Sequence, residues 1–233
     1  MKQPGWQTYM ETASLGGAAA SPEQVDYIEN AYEFLGEPGQ WFLDEKADTV
    51  YYIPRASENI NTIPVYLGKL EHIVELNGKP GKPVKNIVFK GLTFSYSTWL
   101  QASSDAGLLT VQANFYKRRG TLAKTRWDER NWVQPIAAVE GSFTENVKFT
   151  DNSFVNIGSG ALSLGRATIN CEINGNYFND CAATAIALGG YKAIDRHPER
   201  SDGMSAYSSG NLICDNTIEN AGSVYAAGCG IVV

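Results

Sequence analysis

Asn146–Gly165 reads NVKFTDNSFVNIGSGALSLG, and Asn170–Gly189 reads NCEINGNYFNDCAATAIALG. Set side by side, Phe149 falls on Ile173, Asn152 on Asn176, Phe154 on Phe178, Leu162 on Ile186 and Leu164 on Leu188, each pair 24 residues apart. A third copy, LICDNTIENAGSVYAAGCGIVV from Leu212, sets Asn216 on Asn176 and Ile218 on Phe178. In the same copy Ile231 and Val233 continue the line of Ile186 and Leu188. An earlier copy, NIVFKGLTFSYS from Asn86, sets Phe89 and Phe94 on Phe149 and Phe154. A fixed period of this size marks a repeat architecture.

Each copy holds two short segments of alternating apolar and polar residues, separated by Asn, Asp and Gly. Alternation at period 2 means strand, with one face in and one face out. Strands this short gain partners only if the same strand stacks above them in the next copy. The period therefore predicts an all-β chain, a right-handed parallel β-helix in which each coil buries its apolar residues against its neighbours. Asn152, Asn176 and Asn216 then form one corner column, and Asn156, Asp180 and Asn220 a second. Asn and Asp tolerate left-handed backbone, and stacked amides can bond along the coil. That structural role discounts Asp180 as a catalyst.

The chain has 233 residues, 43% hydrophobic and 19% charged, with a net charge of −6. An acidic balance argues against nucleic acid as a partner, because phosphate contacts need a basic face. No apolar run is long enough for a membrane span. The start, MKQPGWQTYM, carries no apolar stretch of the signal-peptide kind. Cys171, Cys181, Cys214 and Cys229 form no C-x-x-C pair, and only His72 and His197 could join them. No metal site and no cofactor are expected, and the thiols read as small buried hydrophobes.

Residues 1–62 read differently. Ser21-Pro22-Glu23-Gln24 is a capping box with Pro at the first helical position, and Val25, Ile28, Tyr32 and Leu35 follow helical spacing to Gly36. Trp41-Phe42-Leu43 and Val50-Tyr51-Tyr52-Ile53 flank a polar turn and predict a hairpin. This small region is expected to pack on the coil, which runs over 63–233 and opens with a strand pair in 63–76. Gly78–Pro83 reads as a turn.

The phrases IENAYEFLGEPGQWFLD (Ile28–Asp44), TVYYIP (Thr49–Pro54) and NIVFKGLTFSYSTW (Asn86–Trp99), with the rungs through GCGIVV, resemble bacterial right-handed parallel β-helix proteins of the glycoside hydrolase kind. Relatives of that kind include fucosidases, xylanases and xylosidases. The resemblance implies a secreted or periplasmic protein that acts on a plant or bacterial poly- or oligosaccharide. It also implies a longer coil, so the strand position of Val233 predicts further coils and a chain incomplete as a catalyst.

Two insertions interrupt the rungs. One spans Trp99–Gln134, after the Phe94 strand and before Ile136-Ala137-Ala138-Val139. The other spans Gly190–Ser209, after Ile186-Ala187-Leu188. They flank one sheet, whose outward positions Ala138, Ala161, Ser163, Gly165 and Ala187 are small enough to floor a groove. Trp99, Trp127 and Trp132 are candidate sugar platforms, since aromatic rings stack on the apolar faces of sugars. Tyr191, Arg196 and His197 are candidate binders in the second insertion. Glycosidic hydrolysis needs two carboxyl groups. Glu140, at an outward strand end, is the preferred one, with Asp195, Glu199 and Asp202 as candidate partners. A polysaccharide lyase and a non-catalytic carbohydrate-binding or adhesin coil are the alternatives. The residues alone leave the three level, and the resemblance favours the hydrolase.

Overall fold

A computed structural model of the chain describes residues 31–103, 112–117, 132–189 and 207–233. The chain divides into two compact units, and among these residues the division falls between Tyr66 and Leu67.

In the unit before Leu67, Trp41–Asp44 and Thr49–Tyr52 form the expected antiparallel hairpin. Its turn is closed by Asp44 Oδ1, which accepts from the amides of Lys46 and Ala47 at 3.0 Å each. Asp48 supplies the left-handed residue, at φ 53°. Beyond it, Tyr52 donates its hydroxyl to Glu58, whose carboxylate also pairs with Arg55 at 3.0 Å. The expected helix over Ser21–Gly36 lies mostly outside the described residues, and the part of it within them holds a 3-10 turn at Tyr32–Phe34.

The unit from Leu67 onward is a parallel β-helix. Sheet I stacks Val74–Asn77, Ala137–Ser142, Gly160–Leu164, Ile186–Leu188 and Ile231–Val232. Sheet II stacks Val84–Lys85, Thr144–Glu145 and Thr168–Ile169. Sheet III stacks Val88–Lys90, Lys148–Thr150, Glu172–Asn174 and Leu212–Cys214. Sheet IV stacks Thr93–Ser95, Ser153–Ile157, Tyr177–Cys181 and Thr217–Ala221. Every pairing within these sheets is parallel, and the registers Phe149↔Ile173, Phe154↔Phe178 and Leu162↔Ile186 are those of the 24-residue offset.

Four strands per coil replace the two alternating segments visible in the sequence. The extra corners are made by single left-handed residues, which end a strand without a loop. Asn86, Asn146, Asn170 and Gly210 stack at one corner, and Gly91, Asp151, Gly175 and Asp215 at the next, all with φ between 51° and 67°. Tyr96, Asn156, Asp180 and Asn220 form a third such column, at φ 52° to 59°. Non-glycine residues reach this region at a cost, and Asn and Asp reach it most readily. The strand pair expected in 63–76 is a single strand, Val74–Asn77. Ahead of it the chain is held by close backbone approach: a Cβ on Gly68 would lie 2.6 Å from the Tyr96 carbonyl oxygen.

The interior is a column of stacked side chains. Ring centroids lie 4.8 Å apart in Phe89–Phe149 and Phe94–Phe154, and 4.6 Å apart in Phe154–Phe178. These spacings match the distance between neighbouring strands. Phe149, Phe154, Phe178, Leu164 and Ile186 have no exposed surface. All four cysteines are free thiols, and burial, aided by the nearby Asp180 charge, pushes the Cys181 thiol up to about 12.

The Asn column closes the corner between sheets III and IV. Asn176 donates Nδ2 to the Phe149 carbonyl at 2.9 Å and to Asn216 Oδ1 at 3.0 Å. Its own Oδ1 accepts from the amide of Asn152 at 3.0 Å and from Asn152 Nδ2 at 2.9 Å. Asn176 is 1% exposed, so no water replaces these bonds when the amide is lost.

Two outcomes check this account. Asn176→Ala is expected to destabilise the coil by about 2–4 kcal/mol, from several bonds lost with their partners left buried. A thermal unfolding midpoint lower by about 5–15 °C is the expected sign. Cys181, held neutral by burial, should resist iodoacetamide in the folded protein at pH 8 and react after denaturation, as read by intact mass.

Candidate functional site

The candidate site falls on sheet I, the sheet that both insertions adjoin. The offset between successive coils rises from 24 to 60 residues across the first insertion and to 40 across the second. A shorter excursion, Gly222–Cys229, escaped the sequence analysis. It shows as a 45-residue offset between Ile186 and Ile231, against 40 in sheets III and IV.

The alternation of sheet I fixes which side chains face out. Val74, Val139, Leu162, Ile186 and Ile231 form one register line, and the first four of them pack in the core, while Ile231 on the last strand is exposed. The next line, Glu75, Glu140, Ser163, Ala187 and Val232, faces away from the core. Glu140 therefore stands outward as expected, with its side chain 47% exposed. The alternation does not extend to the start of the strands. Ala138 and Ala161, expected on the groove floor, have no exposed surface and belong to the core. Ala137 and Gly160 instead line an open depression with Gln134, Pro135, Ser163, Thr184 and Ala187. It is shallow and open to solvent, with room for about one water molecule.

Two residues beside Glu140 were not singled out in the sequence. Glu75 lies directly opposite it on the neighbouring strand and is exposed. His72 sets Nδ1 2.9 Å from the Ala137 carbonyl oxygen and 3.7 Å from Glu140 Oε2. A carbonyl oxygen only accepts, so Nδ1 carries the hydrogen. The Ala137 amide lies 3.4 Å from the same Glu140 oxygen. The signal for Glu75 was present in the sequence: Val74-Glu75 and Val139-Glu140 are the same dipeptide at the same point of two successive coils. The long first insertion hid that match. Glu71, by contrast, is engaged, with Oε1 accepting from the Leu100 amide at 2.9 Å.

The remaining candidates divide. Trp99 is 5% exposed, with its ring against Tyr116 and Tyr225 at 5.5 and 5.2 Å between centroids. A ring covered in this way offers no face to a sugar and ties the first insertion to the 222–229 excursion. Asn114 strengthens the tie, its amide donating to the Ala227 carbonyl at 3.1 Å and its Nδ2 to the Tyr225 carbonyl at 2.9 Å. Trp132 starts the two-residue strand Trp132–Val133, paired antiparallel with Tyr116–Lys117. Trp127, Tyr191, Asp195, Arg196, His197, Glu199 and Asp202 lie outside the described residues. Among the described residues no group of three or more His, Cys, Asp or Glu could hold a metal ion. No helix among them is long and apolar enough to cross a membrane.

No family model matches the chain, and no curated protein matches it. A solved structure described as a glycoside hydrolase is similar, with a TM-score of 0.69 and 24% identity. The match covers 84% of this chain and 35% of that one, so this chain spans about a third of that structure's length. The likeness is one of fold.

Trp99→Ala is expected to loosen the tie between the first insertion and residues 222–229. Amide hydrogen exchange at Asn114 and Gly228 should then rise about tenfold or more, with the sheet amides unchanged.

Proposed function

We propose that the protein is a carbohydrate-active β-helix that hydrolyses glycosidic bonds on the outer face of sheet I. The observation that carries this reading is Glu140, an outward carboxylate on a rigid strand beside an open floor of small side chains. A floor of Ala, Gly, Ser and Thr lets an extended glycan lie close to the strand, and a carboxylate at its margin can reach a glycosidic oxygen or an anomeric carbon. The fold likeness to a glycoside hydrolase supports the same class. In this reading the substrate is a poly- or oligosaccharide, and the protein acts in the secreted or periplasmic space.

His72 and the Ala137 amide both face one oxygen of Glu140 and limit the directions in which the carboxylate can turn. Orientation of this kind brings a reacting carboxyl to its bond without further ordering.

In the natural full-length protein, assayed on 4-nitrophenyl fucosides and xylosides, Glu140→Gln is expected to lower kcat/KM by about 10²–10⁴-fold. Calorimetry should show oligosaccharide affinity largely retained. Sugar binding without turnover in the unaltered protein would favour a non-catalytic binding coil, and absence of both would defeat the proposal.

A further inference from the structure

We infer that Glu75 is the second carboxyl of this site, paired at short range with Glu140. The inference rests on the glycosidic chemistry proposed above. Three observations carry it. First, the two residues are register partners on adjacent parallel strands and share the outward face. Second, where two charged residues stand opposite one another elsewhere on the coil, as Lys85 with Glu145 and Lys148 with Glu172, their signs are opposite. On sheet III, Lys148 and Glu172 stand opposite one another and pair at 2.9 Å. Like charges directly opposite destabilise a sheet, so Glu75 against Glu140 is an arrangement that stability alone disfavours. Third, the floor beside them holds a group that lacks its partner. Gln134 lines the depression, and its Nε2 is buried with no hydrogen-bond partner. A buried donor left unmatched is expensive, and a turn of the Gln134 side chain toward the depression would let a ligand hydroxyl satisfy it.

The spacing selects a mechanism. Neighbouring strands lie about 4.8 Å apart. Side chains rooted that close together on one face can reach the short carboxyl separation of about 5–5.5 Å used in double displacement, and this is the mechanism the inference takes. One carboxylate attacks the anomeric carbon and forms a C–O ester bond as the glycosidic C–O bond breaks. The departing oxygen takes its proton from the other carboxyl. Water then attacks the anomeric carbon and gives a proton to that second carboxylate, and the first carboxylate leaves with the electron pair of the ester bond. Configuration at the anomeric carbon is retained. His72 is a positioning residue here, because it touches Glu140 and the Ala137 carbonyl.

The test uses E75Q, E140Q and E75Q/E140Q with two readouts. In thermal unfolding at pH 8, above the usual histidine range, each single change should raise Tm by about 1–3 °C through relief of repulsion. The double change should add little to either. Fully additive shifts mean that the carboxyls do not face one another, and they overturn the inference while leaving the proposed function standing. On 4-nitrophenyl fucosides and xylosides, E75Q and E140Q should each lower kcat by about 10²–10⁴-fold. The first product seen by proton NMR should keep the anomeric configuration of the substrate. E75Q with unaltered kcat, or an inverted first product, overturns the role of Glu75 within an enzyme that remains a hydrolase. Absence of turnover of these glycosides by the unaltered full-length protein removes the proposed function, and this inference with it.

Discussion

The side-chain amide of Asn176 touches three successive coils at once. It receives two hydrogen bonds from Asn152, donates to Asn216, and donates to the Phe149 carbonyl of the preceding coil. This bonding works only if the coils stack without slippage, because a shift of one residue would turn each Asn out of the corner and its neighbours out of the core. The same register brings Phe154 over Phe178 and Leu162 over Ile186. The amide ladder and the aromatic stack therefore demand the same alignment, and agreement between local and global preferences is what gives a chain one structure.

That shared alignment also decides what can be inserted. A loop may leave the coil wherever its ends return to the stacked register, since loop length adds closure entropy only slowly. Three excursions of different length leave beside sheet I, while the stacked strands keep their alignment on either side of each. Sheet I is thus the face that loops can frame. Trp99 and Asn114 show that two of these loops are tied to one another, through Tyr225 and Ala227. The aromatic content of the first insertion serves this tie at Trp99, where the ring is covered.

The outward face of sheet I combines features that oppose stability. It places glutamates side by side at Glu75 and Glu140 and leaves Gln134 Nε2 unmatched. The opposite faces of the coil show compensated pairs instead, such as Lys148 with Glu172 and Tyr177 with Glu219, the latter at 2.8 Å. In each of those pairs the partner carboxylate is satisfied: Lys148 holds the Glu172 carboxyl below the usual carboxylate range, and Glu219 raises the Tyr177 hydroxyl.

The sequence by itself determined the stacked coil. Period, parity and turn residues are local properties, and Phe149, Asn152, Leu162 and their counterparts 24 residues on state all three. It also determined that Glu140 faces outward, because Val139 must face in. It could not place Glu75. The 65-residue offset from Glu75 to Glu140 includes an insertion that breaks the period, and only the closed coil makes them neighbours. Nor could it separate a ring that packs from one that is free, since Trp99 is covered by Tyr225, which lies 126 residues further along the chain. The burial of Ala138 and Ala161 was equally out of reach. Alternation predicts outward residues along an ideal strand, and the course of the chain at the strand's start decides where that alternation begins.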